Sequence, residues 1–243
     1  CWVSSARKDI LYDPQMVLFN ICHIDPNLII PFGTMQSGGG SYLWLKECMC
    51  STETQMARMV DKNEYIFMDM QAEISPAGAN NLIFLPYLRG ERSPYWNSKA
   101  KGAFIGLTTS HKRNDIIRAI LEGVAFNLKI SRDIFRQQEN KSSKLRIIGG
   151  GAKSYLWRQI IADIFNEIVY VPSLLEEANN FGAAIVGGVG IGLFKNIQVA
   201  EKLNTITQIQ KPNRDVKIRK KYDDLYEVFK DAYQALVPIF NKL

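Results

Sequence analysis

The sequence predicts an α/β fold, and three observations carry that expectation. The last third alternates strand-like and helical patterns, with strand 145–149, helix 154–167, strand 168–172 and helix 178–194. That β-α-β-α order points to an α/β layer. The middle stretch "NLIFLPYLRGERSPYWNSKAKGAFIGLT" (81–108) holds an apolar strand, a long polar loop and a second strand. Between strand 145–149 and its helix stand three glycines, in "KLRIIGGGAKSYLWRQIIADIF" (144–165).

Taken in order, residues 1–36 read as short strands and turns, beginning with the strand-like "CWVSS". The runs "MVLFNICHI" (16–24) and "LIIPFGTM" (28–35) flank Asp25-Pro26-Asn27, so they are expected to form a hairpin. Ser41, after Gly38 to Gly40, is expected to cap a helix carrying Leu43, Trp44 and Leu45. Asn114 is expected to cap a second helix running to about Gln137. Ile117, Leu121, Val124, Leu128 and Phe135 fall on one of its faces, and Arg118 and Glu122 can pair at i,i+4. A last helix spans roughly 215–237 with Tyr222, Leu225, Phe229, Tyr233 and Leu236 on one face, and Pro238 is expected to stop it.

Composition narrows the function classes. The chain has 243 residues, 47% hydrophobic and 22% charged, enough to bury a substantial core and unlike a disordered or fibrous protein. The net charge of +6 is spread, apart from Lys217, Arg219, Lys220 and Lys221. That run reads as a solvated helix face, and no nucleic-acid-binding motif accompanies it. Cys1, Cys22, Cys48 and Cys50 include a C-x-C but no C-x-x-C, and only His23 and His111 could join them. Reduced thiols fit that pattern better than disulfides or zinc, so no metal ligand is assigned. The apolar run Ala183 to Phe194 holds four glycines and is too short to span a bilayer. A chain that opens on Cys1 is read as starting inside a longer protein.

Three stretches attract functional readings. Gly149, Gly150 and Gly151 let a ligand approach bare backbone, and Ser154 is placed to cap the next helix, whose free N–H groups face the turn. The run is neither G-x-G-x-x-G nor a P-loop, so taken alone it reads as a tight turn. In "EEANNFGAAIVGGVGIGLF" (176–194), Gly182, Ala183 and Ala184 allow another backbone or a ligand to come near, and Gly187 to Gly192 read as close helix–sheet packing. Arg89, Glu91 and Arg92 read as a surface loop with internal ion pairs, with Tyr95 and Trp96 as core anchors.

Together these stretches resemble the C-terminal half of the FGGY carbohydrate kinases. Gly102-Ala-Phe104-Ile-Gly106-Leu107, seven residues, Asp115-Ile116, then Ala119-Ile120-Leu121-Glu122 satisfies the family's second signature. "GERSPYWN" is similar to the loop before it, "IIGGGAKSYLWRQIIAD" to the adenosine-site turn and "NNFGAAIVGGVG" to the late Gly-Ala-Ala helix. The resemblance implies the ribonuclease H-like, actin-like ATPase fold. Residues 1–243 would form the nucleotide-binding lobe, with the sugar-binding lobe outside this chain.

It further implies ATP and Mg²⁺ as cofactors, a small sugar as substrate and dimerisation as a common state, while the cysteine usage and composition point to a cytoplasmic protein with no nucleic-acid or membrane partner. Gly149, Gly150, Gly151, Ala152 and Ser154 are carried over as backing the nucleoside, and Ala100 as lining its pocket. The family's general base is an aspartate in the part preceding this chain, so no catalytic residue is assigned and the isolated chain is expected to be inactive. "FGTMQSGGGSYLWLKE" (32–47) resembles the branch acting on D-xylulose, while "LPYLRGERSPYWN" also resembles gluconate kinases. A non-catalytic nucleotide-binding module and a pure assembly domain stand as the other readings.

Overall fold

The computed structural model describes residues 1–138 and 144–243. Strands β1 (Trp2–Ser4), β2 (Phe19–Cys22) and β3 (Ile29–Thr34) form an antiparallel sheet in the order β1-β3-β2. The expected hairpin is the β2–β3 pair, registered Phe19 opposite Phe32. At its turn the Asp25 carboxylate accepts the Asn27 N–H at 3.0 Å. Three helices follow, α1 (Gly38–Met49), α2 (Ser51–Met59) and α3 (Glu64–Ile74).

Ser41 does not cap α1. It lies one turn inside, and its hydroxyl bonds back to the Ser37 carbonyl. Glycines 38–40 are poor helix formers, but burial of Tyr42 and Leu45 carries the helix through them.

Strands β4 (Ile83–Leu85) and β5 (Ala103–Ile105) pair antiparallel across the long loop. Behind them runs α4 (Arg113–Gln138), which packs on β4, α3 and α5 (Tyr155–Phe165). Its Ile117, Leu121, Val124 and Phe135 are buried, the face its periodicity predicts. Gly123 sets the approach of α4 to β4, since a Cβ there would stand 2.1 Å from the Phe84 carbonyl oxygen. Asn114 is not the cap, because α4 already begins at Arg113. Asp115 does that work by reaching back to accept the Lys112 N–H at 2.8 Å.

The last third is the expected α/β layer. Strand β6 (Leu145–Arg146) pairs parallel with β7 (Val169–Pro172), with α5 as the crossover, and β8 (Ile206–Gln210) adds antiparallel to β7. Between β7 and β8 lie α6 (Ala178–Gly190) and α7 (Val199–Leu203). The closing helix α8 (Val216–Phe240) contains Pro238 rather than ending at it. The proline sits in the last turn, and Phe240, buried with its ring 6.4 Å from that of Tyr233, anchors the extra residues. Buried Tyr222, Leu225, Phe229 and Tyr233 of α8 join Leu85, Leu121 and Trp157 in one core.

The loop after β4 differs from its surface reading. Glu91 is 3% exposed and pairs with neither flanking arginine. Its carboxylate accepts the backbone N–H of Gln36 at 2.8 Å and of Arg92 at 2.9 Å, and the Asn127 side-chain amide at 3.1 Å. The loop is thereby clasped to the end of β3 and to α4. Tyr95 stacks on Tyr233 at 3.6 Å as a core anchor, whereas Trp96 is exposed and donates its indole N–H to the Met16 carbonyl.

Burial pushes the Glu91 carboxyl up to about 7 from 4.5. The folded state therefore holds this proton more tightly than the unfolded chain, and that contribution to stability is lost as pH rises. Relative to Glu91→Gln, the parent is expected to lose on the order of 2 kcal/mol between acid and neutral pH. Urea unfolding at a series of pH values measures this, and parallel curves for the two proteins would refute it.

Candidate functional site: the glycine turn before α5

The turn leaves β6 and reverses into α5 within eight residues, and each step has a local cause. The Ile147 N–H still bonds the Tyr170 carbonyl at 3.1 Å, extending the β6–β7 pairing by one residue. Gly149 then takes φ +93°, a conformation that penalises any side chain. Its N–H donates to the Leu175 carbonyl at 2.8 Å, tying the turn to the loop after β7. Residues Gly150–Lys153 form one 3-10 turn.

Ser154 caps α5 as expected, its Oγ accepting the Trp157 N–H at 2.9 Å. This satisfies one of the free donors at the helix start. The side with space is the glycine side. A Cβ at Gly149 would meet nothing within 4 Å, and one at Gly150 would meet only a Glu176 carboxylate oxygen, at 3.4 Å.

The opposite side is packed. A Cβ at Gly151 would stand 2.9 Å from the Trp157 ring. That ring is buried beside Tyr42, centroids 5.8 Å apart, and its Nε1 donates to the Leu121 carbonyl of α4 at 3.2 Å. Ala152 is buried as well. Lys153 and Glu176, both exposed, form an ion pair beside the turn. The turn is thus a shelf with bare backbone on top and an aromatic support beneath.

Two side chains that sequence reasoning missed hold the shelf. Asp69 of α3 accepts the Tyr42 hydroxyl at 2.9 Å, bracing the ring that packs beside Trp157, and burial draws its carboxyl above the usual carboxylate range. Arg158 of α5 donates from Nη1 to the Ala152 carbonyl at 2.7 Å and from Nη2 to Gln208 at 2.8 Å. No local pattern marks Asp69, which the sequence places on an ordinary helix 85 positions before Ser154.

The other carried-over residue lies elsewhere. Ala100 is wholly buried in the core, its N–H on the Asn97 carbonyl at 3.3 Å, so it presents no surface of its own here. The close-packing reading of Gly187 to Gly192 fails for most of the run. A Cβ at Gly187, Gly190 or Gly192 would meet nothing within 4 Å, and only Gly188 is packed, against Phe194.

The signature residues Asp115 and Glu122 build the frame. Asp115 accepts from Ser75 Oγ at 2.6 Å and from the Asn80 amide at 2.9 Å. Glu122 accepts from the Gly78 N–H at 3.0 Å and the Tyr222 hydroxyl at 2.8 Å, and pairs with Arg118 at 2.6 Å. Both fix the turn at 75–81, where Gly78, Ala79, Asn80 and Asn81 all take positive φ.

Residues 9–191 match the C-terminal domain of the FGGY family of carbohydrate kinases. The chain belongs to this family. This FGGY domain is 35% identical over 227 residues to a xylulose kinase of Staphylococcus epidermidis, covering 93% of this chain and 42% of that protein. It is 34% identical over 205 residues to a gluconokinase of Bacillus licheniformis, covering 84% of this chain and 39% of the relative. The FGGY domain therefore spans less than half the length of these relatives.

Among solved structures it superposes on a ligand-bound xylulose kinase from Lactobacillus acidophilus with a TM-score of 0.84 at 26% identity, covering 99% of this chain and 46% of that one. The fold is that of the FGGY sugar kinases, the actin-like ATPase fold. Among the described residues no helix of the domain is long and apolar enough to cross a membrane.

Proposed function

We propose that this chain is the nucleotide-binding part of a kinase that transfers the γ-phosphoryl group of ATP to a hydroxyl of D-xylulose. The observation that carries the nucleotide half of this reading is the open glycine side of the turn, where a Cβ at Gly149 would face free space and one at Gly150 would touch only the Glu176 carboxylate, above a packed Trp157. A flat nucleoside fits bare backbone held rigid from below. Gly149, Gly150 and Gly151 with Ala152 would back the adenosine, and Ser154 keeps the start of α5 in register with them.

Phosphoryl transfer depends mainly on positioning and electrostatics rather than on covalent chemistry by the protein. Mg²⁺ bound with ATP would neutralise charge on the phosphates. The part this chain plays is to hold the nucleoside end still. The general base and the sugar contacts belong, on this reading, to the portion of the relatives that the chain does not span.

D-xylulose is favoured by the 35% identity to the staphylococcal xylulose kinase. Gluconate is the second reading, favoured by the 34% identity to the Bacillus licheniformis gluconokinase.

Titration of MgADP into the chain by calorimetry tests the nucleotide site, with Gly150→Val beside the parent. Gly150 lies on the open side and its φ is not positive, so valine is expected to fold while its methyls occupy the ligand's approach. Affinity should fall at least about tenfold, ~1.4 kcal/mol. Binding that valine leaves unchanged would put the nucleotide elsewhere.

A further inference from the structure

Arg158 is 6% exposed, yet among the described residues no carboxylate pairs with it. Burying a guanidinium without a counter-charge is costly, and burial draws its pKa down. One of its donors, Nε, has no partner among the described residues. The two bonds it does make reach different elements, Nη1 to the Ala152 carbonyl inside the glycine turn and Nη2 to Gln208 on β8. Its guanidinium also lies 5.8 Å from the Tyr155 ring centroid, which restricts its plane.

A buried cation with an unused donor and no acid is a poor stabiliser of a fold, because an apolar side chain of the same volume would avoid the desolvation. What an apolar side chain could not do is bridge two carbonyl-type oxygens on different elements with one rigid fork. The bridge ends inside the turn itself. Ala152 is the residue whose N–H closes the turn onto the Gly149 carbonyl at 3.0 Å. Pulling on the Ala152 carbonyl therefore fixes the peptide planes on which a ligand would lie.

We propose that Arg158 is a positioning residue for the nucleoside. Its fork ties the glycine turn to β8 through Gln208 and so holds the backbone of 150–153 in the conformation that receives the ligand. This rests on the nucleotide reading of the turn, and it names a device that reading does not need. A shelf set before the ligand arrives avoids the entropy of ordering it on binding.

The test uses the full 243-residue chain with Arg158→Met, Arg158→Lys and Gln208→Ala, plus the Arg158→Met/Gln208→Ala double variant. Gln208 is exposed, so its variant is expected to fold even where Arg158→Met is weakened. Two readouts are taken, calorimetric affinity for adenosine and for MgADP, and amide hydrogen exchange across 149–154 without ligand.

Arg158→Met and Gln208→Ala are expected to speed exchange at 150–154 but not in α8. They are expected to weaken adenosine and MgADP by the same factor, about tenfold for Arg158→Met. The double variant should be no weaker than Arg158→Met alone, and lysine should restore part of the loss. Unchanged exchange and unchanged affinities in Arg158→Met overturn the proposal, as does additivity in the double variant. A parent that binds neither ligand overturns the nucleotide reading itself, and the exchange data then still decide whether Arg158 fixes the turn.

Discussion

Replacing Glu122 by glutamine is expected to destabilise the chain by about 3–5 kcal/mol, among the largest effects of any single isosteric change in it. Glu122 is 1% exposed, and its Oε1 receives Arg118 Nε at 2.6 Å, the Tyr222 hydroxyl at 2.8 Å and the Gly78 N–H at 3.0 Å. Arg118 in turn reaches the Ser75 carbonyl and the Tyr222 hydroxyl, each at 3.0 Å. The glutamine keeps the shape and removes the charge, leaving a guanidinium buried without a counter-charge while a neutral amide oxygen must serve all three donors. Urea unfolding of the parent, Glu122→Gln, Arg118→Met and the Arg118→Met/Glu122→Gln double variant measures this. The double variant should cost clearly less than the two single costs added. Simple additivity would show that the three groups do not act as one network.

That network also shows what the sequence makes legible and what it does not. The Arg118–Glu122 pair is visible because both partners lie on one helix face. Its burial is not, because Tyr222 arrives from α8, a hundred positions away. The same line divides the glycine turn. Ser154 as the α5 cap is legible, since cap and recipient stand three residues apart. Gln208 is not, because it meets the turn only through β8 and Arg158.

Elements follow the same logic. The β2–β3 hairpin and the β6-α5-β7 unit are written in local pattern and turn residues. Helix ends depart from local preference where burial overrides it, as at Gly38 to Gly40 before Tyr42, and at Pro238 before Phe240. Three charged residues in four, Arg89 to Arg92, suggest a solvated loop around Glu91. The fold instead satisfies that carboxylate with backbone N–H groups from Gln36, just past β3, and from the loop itself, donors that every sequence carries and none displays.

Trp157→Ala is expected to join stability and function in one variant. Truncating a buried tryptophan costs about 3–5 kcal/mol in lost burial and residual cavity. The loss falls beneath the turn, because the ring packs so close to Gly151 that a Cβ there would stand 2.9 Å from it, and its Nε1 bonds the Leu121 carbonyl at 3.2 Å. Trp157→Phe separates the two contributions. It keeps most of the support and gives up the indole hydrogen bond, worth about 1 kcal/mol.

If the shelf must be rigid to receive a nucleoside, alanine should weaken MgADP at a temperature where the variant is still folded, and phenylalanine should bind nearly as the parent does. Unfolding midpoints taken with and without MgADP read both effects from one sample, because a ligand that binds only the folded state raises the midpoint. An alanine variant that loses stability yet keeps the full ligand-induced shift would mean that the glycine backbone alone sets the shelf. The tryptophan would then belong to the core and not to the site.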